Sequence, residues 1–172
     1  MLKTPVPKTL QRPLTWQDVL DDPALQDLPY KIELSERGVI EMSPATNLHS
    51  MLQGEIEFLV RSLVKTGRAF PKCSIETRKG VKVADVAWVS TAFVARHGYA
   101  TPYPEAPELC VEIISPSNTA EAIREKIDLY LERGAAEVWT CDLDGRVSFY
   151  SASGTLEASA LILDFPSTVT LD

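Results

Sequence analysis

Two carboxylates and a lysine stand where the hydrophobic pattern of this chain leaves no place for charge. Asp85 interrupts the run Val81–Lys82–Val83–Ala84–Asp85–Val86–Ala87–Trp88–Val89, and Glu112 interrupts Leu109–Cys110–Val111–Glu112–Ile113–Ile114. Lys126 borders the apolar stripe of a helix expected to follow. A carboxylate buried among apolar groups is costly unless it is paired or bound to a cation. Two acids on neighbouring core strands, with a lysine close by, therefore point to a metal-dependent site. Hard carboxylate oxygens suit Mg²⁺ or Mn²⁺.

The elements that must position these groups can be read from periodicity and breakers. Residues 1–14 carry Pro and Lys without periodicity and read as an extended arm, leaving 15–172 as one domain. Thr15 and Asp18 form an approximate capping box for a short helix. Tyr30–Leu34 and Val39–Met42 read as a hairpin turning at Glu36-Arg37-Gly38, with Pro44 ending the second strand. From Thr46 to Val64, Leu48, Leu52, Ile56, Leu59 or Val60, and Leu63 recur at helical spacing, with Gly67 as the stop.

Ala69–Glu76 and Val81–Val89 read as strands joined at Lys79-Gly80, and Ala92–His97 as a helical turn before a Pro-rich loop. Leu109–Ile114 is apolar enough for a central strand covered on both faces. Asn118 and Glu121 suggest a capping box for a second long helix ending at Arg133 and Gly134. Strands at Glu137–Cys141 and Arg146–Tyr150 flank the turn pair Asp144-Gly145, and weaker strands are expected over Leu156–Leu163 and Thr168–Leu171. The result is a mixed α/β (α+β) architecture: a central mixed sheet flanked by helices, with an N-terminal hairpin.

Composition bounds the function. The chain has 172 residues, enough for one domain with a substantial core. No apolar run approaches the roughly 20 residues that span a bilayer, and the start lacks the apolar segment of a signal peptide. A cytoplasmic protein that contacts no membrane is expected. Cys73, Cys110 and Cys141 are widely spaced, without a CxxC pair, and read as small core residues. The net charge of −7 argues against a broadly basic surface for gripping nucleic acid.

Taken in order and spacing, several segments resemble the Uma-type branch of the restriction-endonuclease-like superfamily, whose signature is written PD-(D/E)XK. They are Tyr30–Gly38 with Glu33, Met42-Ser43-Pro44 followed by His49, and Val83-Ala84-Asp85-Val86. Val111-Glu112-Ile113-Ile114-Ser115-Pro116-Ser117, Lys126 with Tyr130, and Gly134–Trp139 complete the set, so the likeness covers roughly residues 15–165. It implies a metal-dependent phosphodiester-hydrolysing site acting on nucleic acid, with DNA expected, in a homodimer.

By that resemblance Asp85 is the aspartate of PD and Glu112 the acid of (D/E)XK, both metal ligands joined by the backbone carbonyl of Ile113. Ala84 replaces the proline, and Ile114 stands where the lysine should be. Lys126, three residues after Ile123 and four before Tyr130, can supply that lysine from the next helix. Otherwise it extends to solvent beside the stripe. Glu33 is then a further acid of the site or a solvent-facing strand residue. His49 is a phosphate or water contact or a surface residue, and Tyr130 a hydrogen bonder behind the ligands. Glu55 and Glu57 suit a solvated helix face, and Glu137 and Asp142 structural roles. Two other outcomes remain open at this level: a nuclease fold kept as a binding or assembly module, and a hydrolase of a small phosphodiester.

Overall fold

Caps and turn residues set the order of elements in the computed structural model, which describes residues 12–171. Thr15 and Asp18 close a reciprocal capping box on helix α1, Trp16–Asp21. The hairpin follows as β1, Tyr30–Ser35, and β2, Ile40–Pro44. Helix α2, Asn47–Leu63, starts where Thr46 accepts the His49 N–H. Then come β3, Arg68–Thr77, β4, Gly80–Val89, and the short helix α3, Thr91–His97. Strand β5, Leu109–Ile113, leads into helix α4, Ala120–Glu132, and β6, Glu137–Cys141. Strands β7, Val147–Ser151, and β8, Gly154–Leu156, end the sheet.

The eight strands form one mixed sheet in the order β2-β1-β4-β5-β6-β7-β8, with β3 also paired to β4. Neighbours are antiparallel except β5 and β6, which run parallel across the α4 connection. Leu52, Ile56 and Val60 of α2 pack on one face with Val86, Trp88, Val111 and Trp139. Ile127 and Tyr130 of α4 pack on the other with Ala84, Ala87, Cys110 and Val138, joined by Phe93 of α3. The mixed central sheet flanked by helices is thus as expected. Each fully covered aliphatic side chain contributes on the order of 1.5–3 kcal/mol to that packing.

Strand β4 has three partners, and the arrangement leaves a gap. Gly80 and Val81 pair with β3 on one edge and with β1 on the other. Val86, Ala87 and Trp88 pair with β3 and with β5. Strands β1 and β5 therefore share one edge of β4, and residues 82–85 of that edge face neither. A Cβ at Gly80, where φ is 92°, would collide with the Leu34 carbonyl, so only glycine lets β1 approach so closely.

Several expectations are corrected. The N-cap of α4 is Thr119, which accepts the Ala122 N–H; Asn118 instead accepts from the Ser115 N–H and hydroxyl, tying the loop that leaves β5. Helix α2 ends at Leu63 with Val64 as its C-cap, and Gly67 serves the turn into β3. Leu48 and Leu63 are exposed, so the buried stripe of α2 is narrower than its spacing suggested. Strand β8 stops at Leu156, and Thr168 contributes only an isolated bridge to Arg146. The amides of residues 160–162 bond to side chains rather than to a ladder, which is why no strand forms there. Of the expected arm, residues 1–11 lie outside the described residues; Leu14 packs beside Val19 and Leu34. All three cysteines are buried and free, and burial pushes the Cys73 thiol up to about 12.

Candidate active site

The gap along β4 is where the chemistry gathers. One step beyond the Val86–Val111 pair, Asp85 and Glu112 would face each other, but the ladder stops. In its place the Asp85 carboxylate crosses to β5, where Oδ2 accepts the Ile113 N–H at 2.8 Å. At the other end of the gap Glu33 of β1 does the same, its Oε1 accepting the Val83 N–H at 2.9 Å. Two carboxylates thus replace strand carbonyls across the opening, which satisfies both amides. Asp85 and Glu112 are each only 2% exposed, and Glu33 is 8% exposed.

Both helix layers reach into the same opening. From α4, Lys126 donates to Glu33 Oε1 at 2.8 Å and Glu112 Oε2 at 3.2 Å, and Tyr130 OH donates to Glu112 Oε1 at 2.7 Å. From the first turn of α2, His49 Nε2 lies 3.4 Å from Asp85 Oδ2, while its buried Nδ1 has no hydrogen-bond partner among the described residues. The structure therefore brings Asp85, Glu112, Glu33, Lys126, Tyr130 and His49 together. Of Ile113 it shows the N–H engaged by Asp85. Lys126 sits on the edge of the buried stripe of α4 and points inward, away from solvent.

Two lysines of this constellation escape a sequence reading. Lys31 Nζ bridges Asp85 Oδ1 at 2.9 Å and Glu112 Oε2 at 2.8 Å. Lys82, itself buried, donates to Glu41 at 2.8 Å and lies 3.9 Å from Glu33. A signal did exist for Lys31. It precedes Glu33 by two residues in an alternating strand, so both must project from the same face. Three buried carboxylates thus face three ammonium groups.

The charges are mutually held. Burial is the largest influence on Asp85 and disfavours its ionised form, yet Lys31, His49 and the Ile113 amide together place its pKa well below the usual carboxylate range. Burial likewise works against ionised Glu33, and Lys126 and Lys31 overcome it to lower its pKa. For Lys31, burial favours the neutral amine, but Glu112, Asp85 and Glu33 outweigh it and raise the pKa. Burial, with Glu112 beside it, raises the Tyr130 phenol, which therefore stays a donor.

A small cleft of about 40 Å³ opens onto these groups, lined also by Ser43, Pro44, Ser115 and Asn118. The larger cavity of about 620 Å³ runs between α4 and the β7–β8 hairpin and is not lined by Glu33, Asp85 or Glu112. Among the described residues, no three His, Cys, Asp or Glu side chains converge to hold a metal ion. Mg²⁺ does not require such a cage, since it keeps several waters and takes one or two carboxylates. Asp85 Oδ1 and Glu112 Oε2 are such a pair, and the ammonium between them is a stand-in cation. The donor set fits a hard divalent ion.

The model of the Uma2 family, described as "Putative restriction endonuclease", matches residues 16–170. The fold is similar to the crystal structure of a "putative nuclease belonging to DUF820" from Anabaena variabilis. The TM-score is 0.68 at 23% sequence identity, covering 92% of this chain and 96% of that one. No curated protein matches the chain. Among the described residues, no helix is long and apolar enough to cross a membrane.

Proposed function

Because this chain belongs to the Uma2 family, we propose that it is an endonuclease hydrolysing phosphodiester bonds of DNA with Mg²⁺ or Mn²⁺ held by Asp85 and Glu112. The supporting observation is the pair of buried carboxylates, Asp85 and Glu112, on adjacent strands at the unpaired stretch of β4, sharing one ammonium group and joined to Glu33 through Lys126. A bound divalent ion supplies Lewis-acid polarisation of the phosphate and of water.

The chain's own residues do the rest. Tyr130 fixes the rotamer of Glu112 through Oε1, leaving Oε2 turned to the cleft. The Ile113 amide fixes Asp85 in the same way through Oδ2. The Ile113 carbonyl is the third oxygen we assign to the ion. Lys126, displaced from the position of Ile114, orients the attacking water and offsets the negative charge that develops on the phosphoryl group. His49, held beside Asp85, contacts phosphate or water. Cutting both strands of a duplex calls for two such sites, so the working form is a homodimer, and we place its action in the cytoplasm.

The test is calorimetric titration of Mg²⁺ and Mn²⁺ into wild type and Asp85→Asn, with plasmid nicking on the same samples. Asparagine retains an oxygen for the Ile113 N–H, so this variant is preferable to alanine, which would orphan that amide. Metal binding and nicking in the wild type, with nicking reduced at least about 100-fold in the folded variant, are expected. Undiminished nicking by the variant would remove Asp85 from the mechanism. Binding with turnover of a nucleotide ester, but not of DNA, would reassign the substrate. No metal binding even with DNA present would leave a binding module that kept the fold without the chemistry.

A further inference from the structure

We propose that Lys31 is a resident counter-cation of this site, which a divalent ion must displace, so that Lys31 sets the metal concentration at which the site loads. This rests on the assignment of Asp85 and Glu112 as metal ligands. It concerns the four oxygens of those two carboxylates, which are not equally available. Asp85 Oδ2 is committed to the Ile113 N–H and lies near His49. Glu112 Oε1 is committed to the Tyr130 hydroxyl. The two that remain, Asp85 Oδ1 and Glu112 Oε2, are those the Lys31 ammonium bridges at 2.9 and 2.8 Å.

A Mg²⁺ or Mn²⁺ ion needs those same oxygens at about 2.0–2.2 Å, with waters completing its shell. An ammonium already within hydrogen-bond distance of both occupies the ion's place and repels its charge. Lys126 does not compete equally. Its shorter contact is to Glu33, it meets only one of the two free oxygens at 3.2 Å, and it does not touch Asp85.

Lys31 also has somewhere to go. It lines the cleft and, on its other side, a neighbouring hollow of about 410 Å³ shared with Tyr30, Asp27, Lys72 and Thr101. Displaced by the ion, the ammonium would turn about its four-carbon stem into that hollow. In the metal-free protein Lys31 keeps two close carboxylates from repelling one another; in the loaded protein the ion takes that role.

Two measurements test this. In the first, Mn²⁺ alone is titrated calorimetrically into wild type and Lys31→Met, with circular dichroism to verify the fold. Lys31→Met should bind Mn²⁺ at least about tenfold more tightly. Equal or weaker binding by a folded variant overturns the proposal while leaving the metal site intact. Absence of binding in both proteins overturns it together with the ligand assignment.

The second uses wild type only and stands even if the variant fails to fold. Acetylation of Lys31 by a soluble N-hydroxysuccinimide ester is followed by peptide mass spectrometry with and without Mn²⁺, with Lys65 as an exposed reference. Labelling of Lys31 should accelerate severalfold at saturating Mn²⁺ while Lys65 is unchanged. An unchanged Lys31 rate at saturation overturns the displacement.

Discussion

Glu112 and Glu137 lie on adjacent strands, and both are buried, yet they are met in opposite ways. Glu137 accepts from Trp139 Nε1, Ser159 Oγ and the backbone amides of Ala160 and Leu161, at 2.7–2.8 Å, all neutral donors on nearby backbone or rigid side chains. The sheet around it is continuous, since Leu109 pairs with Glu137 on one side and Val138 with Tyr150 on the other. Glu112 has one neutral donor, Tyr130, and its second oxygen is held by ammonium groups on long stems. It also lies at the fork where β4 parts from β5. A buried acid saturated by fixed dipoles is a structural joint. One compensated by movable cations at a break in the sheet can exchange those cations for others.

The most forceful way to break this contrast is Glu137→Ala. The substitution orphans an indole N–H and two backbone amides and should cost about 3 kcal/mol or more. For a chain of this size that lowers Tm by roughly 6–12 °C, read by calorimetry. Nicking per folded molecule, measured well below the transition, should not change. If it falls as far as in Asp85→Asn, Glu137 is no mere joint and the distinction fails.

Acid titration sharpens the contrast from the other side. Asp85 and Glu33 have pKa values lowered by folding, so their contribution is complete above the carboxylate range of the unfolded chain, about pH 4, and is lost as pH falls towards their folded values. Wild type should therefore lose stability relative to Asp85→Asn as pH falls below about 4. A difference that does not change there would mean that Asp85 is not held ionised by its cationic and amide partners in the folded chain.

What could be read from the chain, and what could not, follows the same physical divide. Asp85 and Glu112 stood out because apolar strands make a charge conspicuous, and Lys126 because helical periodicity placed it beside a buried stripe. The mixed sheet and its flanking helices were legible for the same reason. Lys31 was missed although its spacing from Glu33 puts both on one face, since a lysine in an alternating hairpin strand resembles a solvent-facing one until the partner strand is known. The gap in β4 has no local signature either, because it arises from β1 and β5 sharing one edge. Residues 156–163 have strand-like composition, but the amides of 160–162 go to Glu137 and Ser159, a tertiary choice no pattern announces.

The smallest expected effect concerns how the gap is built. Opposite Asp85 in β3 stands Lys72, and the ladder runs Pro71–Val86, then Cys73–Ala84, with no pair between. Lys72 has φ of 56°, left-handed for a residue with a side chain. On both strands the alternation slips there: Ala84 and Ala87 pack on one face while Val86 and Trp88 pack on the other. That slip turns Asp85 towards β5, and β6 around Glu137 shows nothing like it. Glycine relieves about 1–2 kcal/mol of left-handed strain, but unfolded-chain entropy offsets roughly half. Lys72→Gly should therefore stabilise by under about 1 kcal/mol, and Lys72→Ala should not stabilise at all. Both should nick DNA as wild type does, because the register, not the Lys72 side chain, aims Asp85. A glycine variant less stable than the alanine one would mean that the kink is not strained, and that the slip is set by the packing of β4 alone.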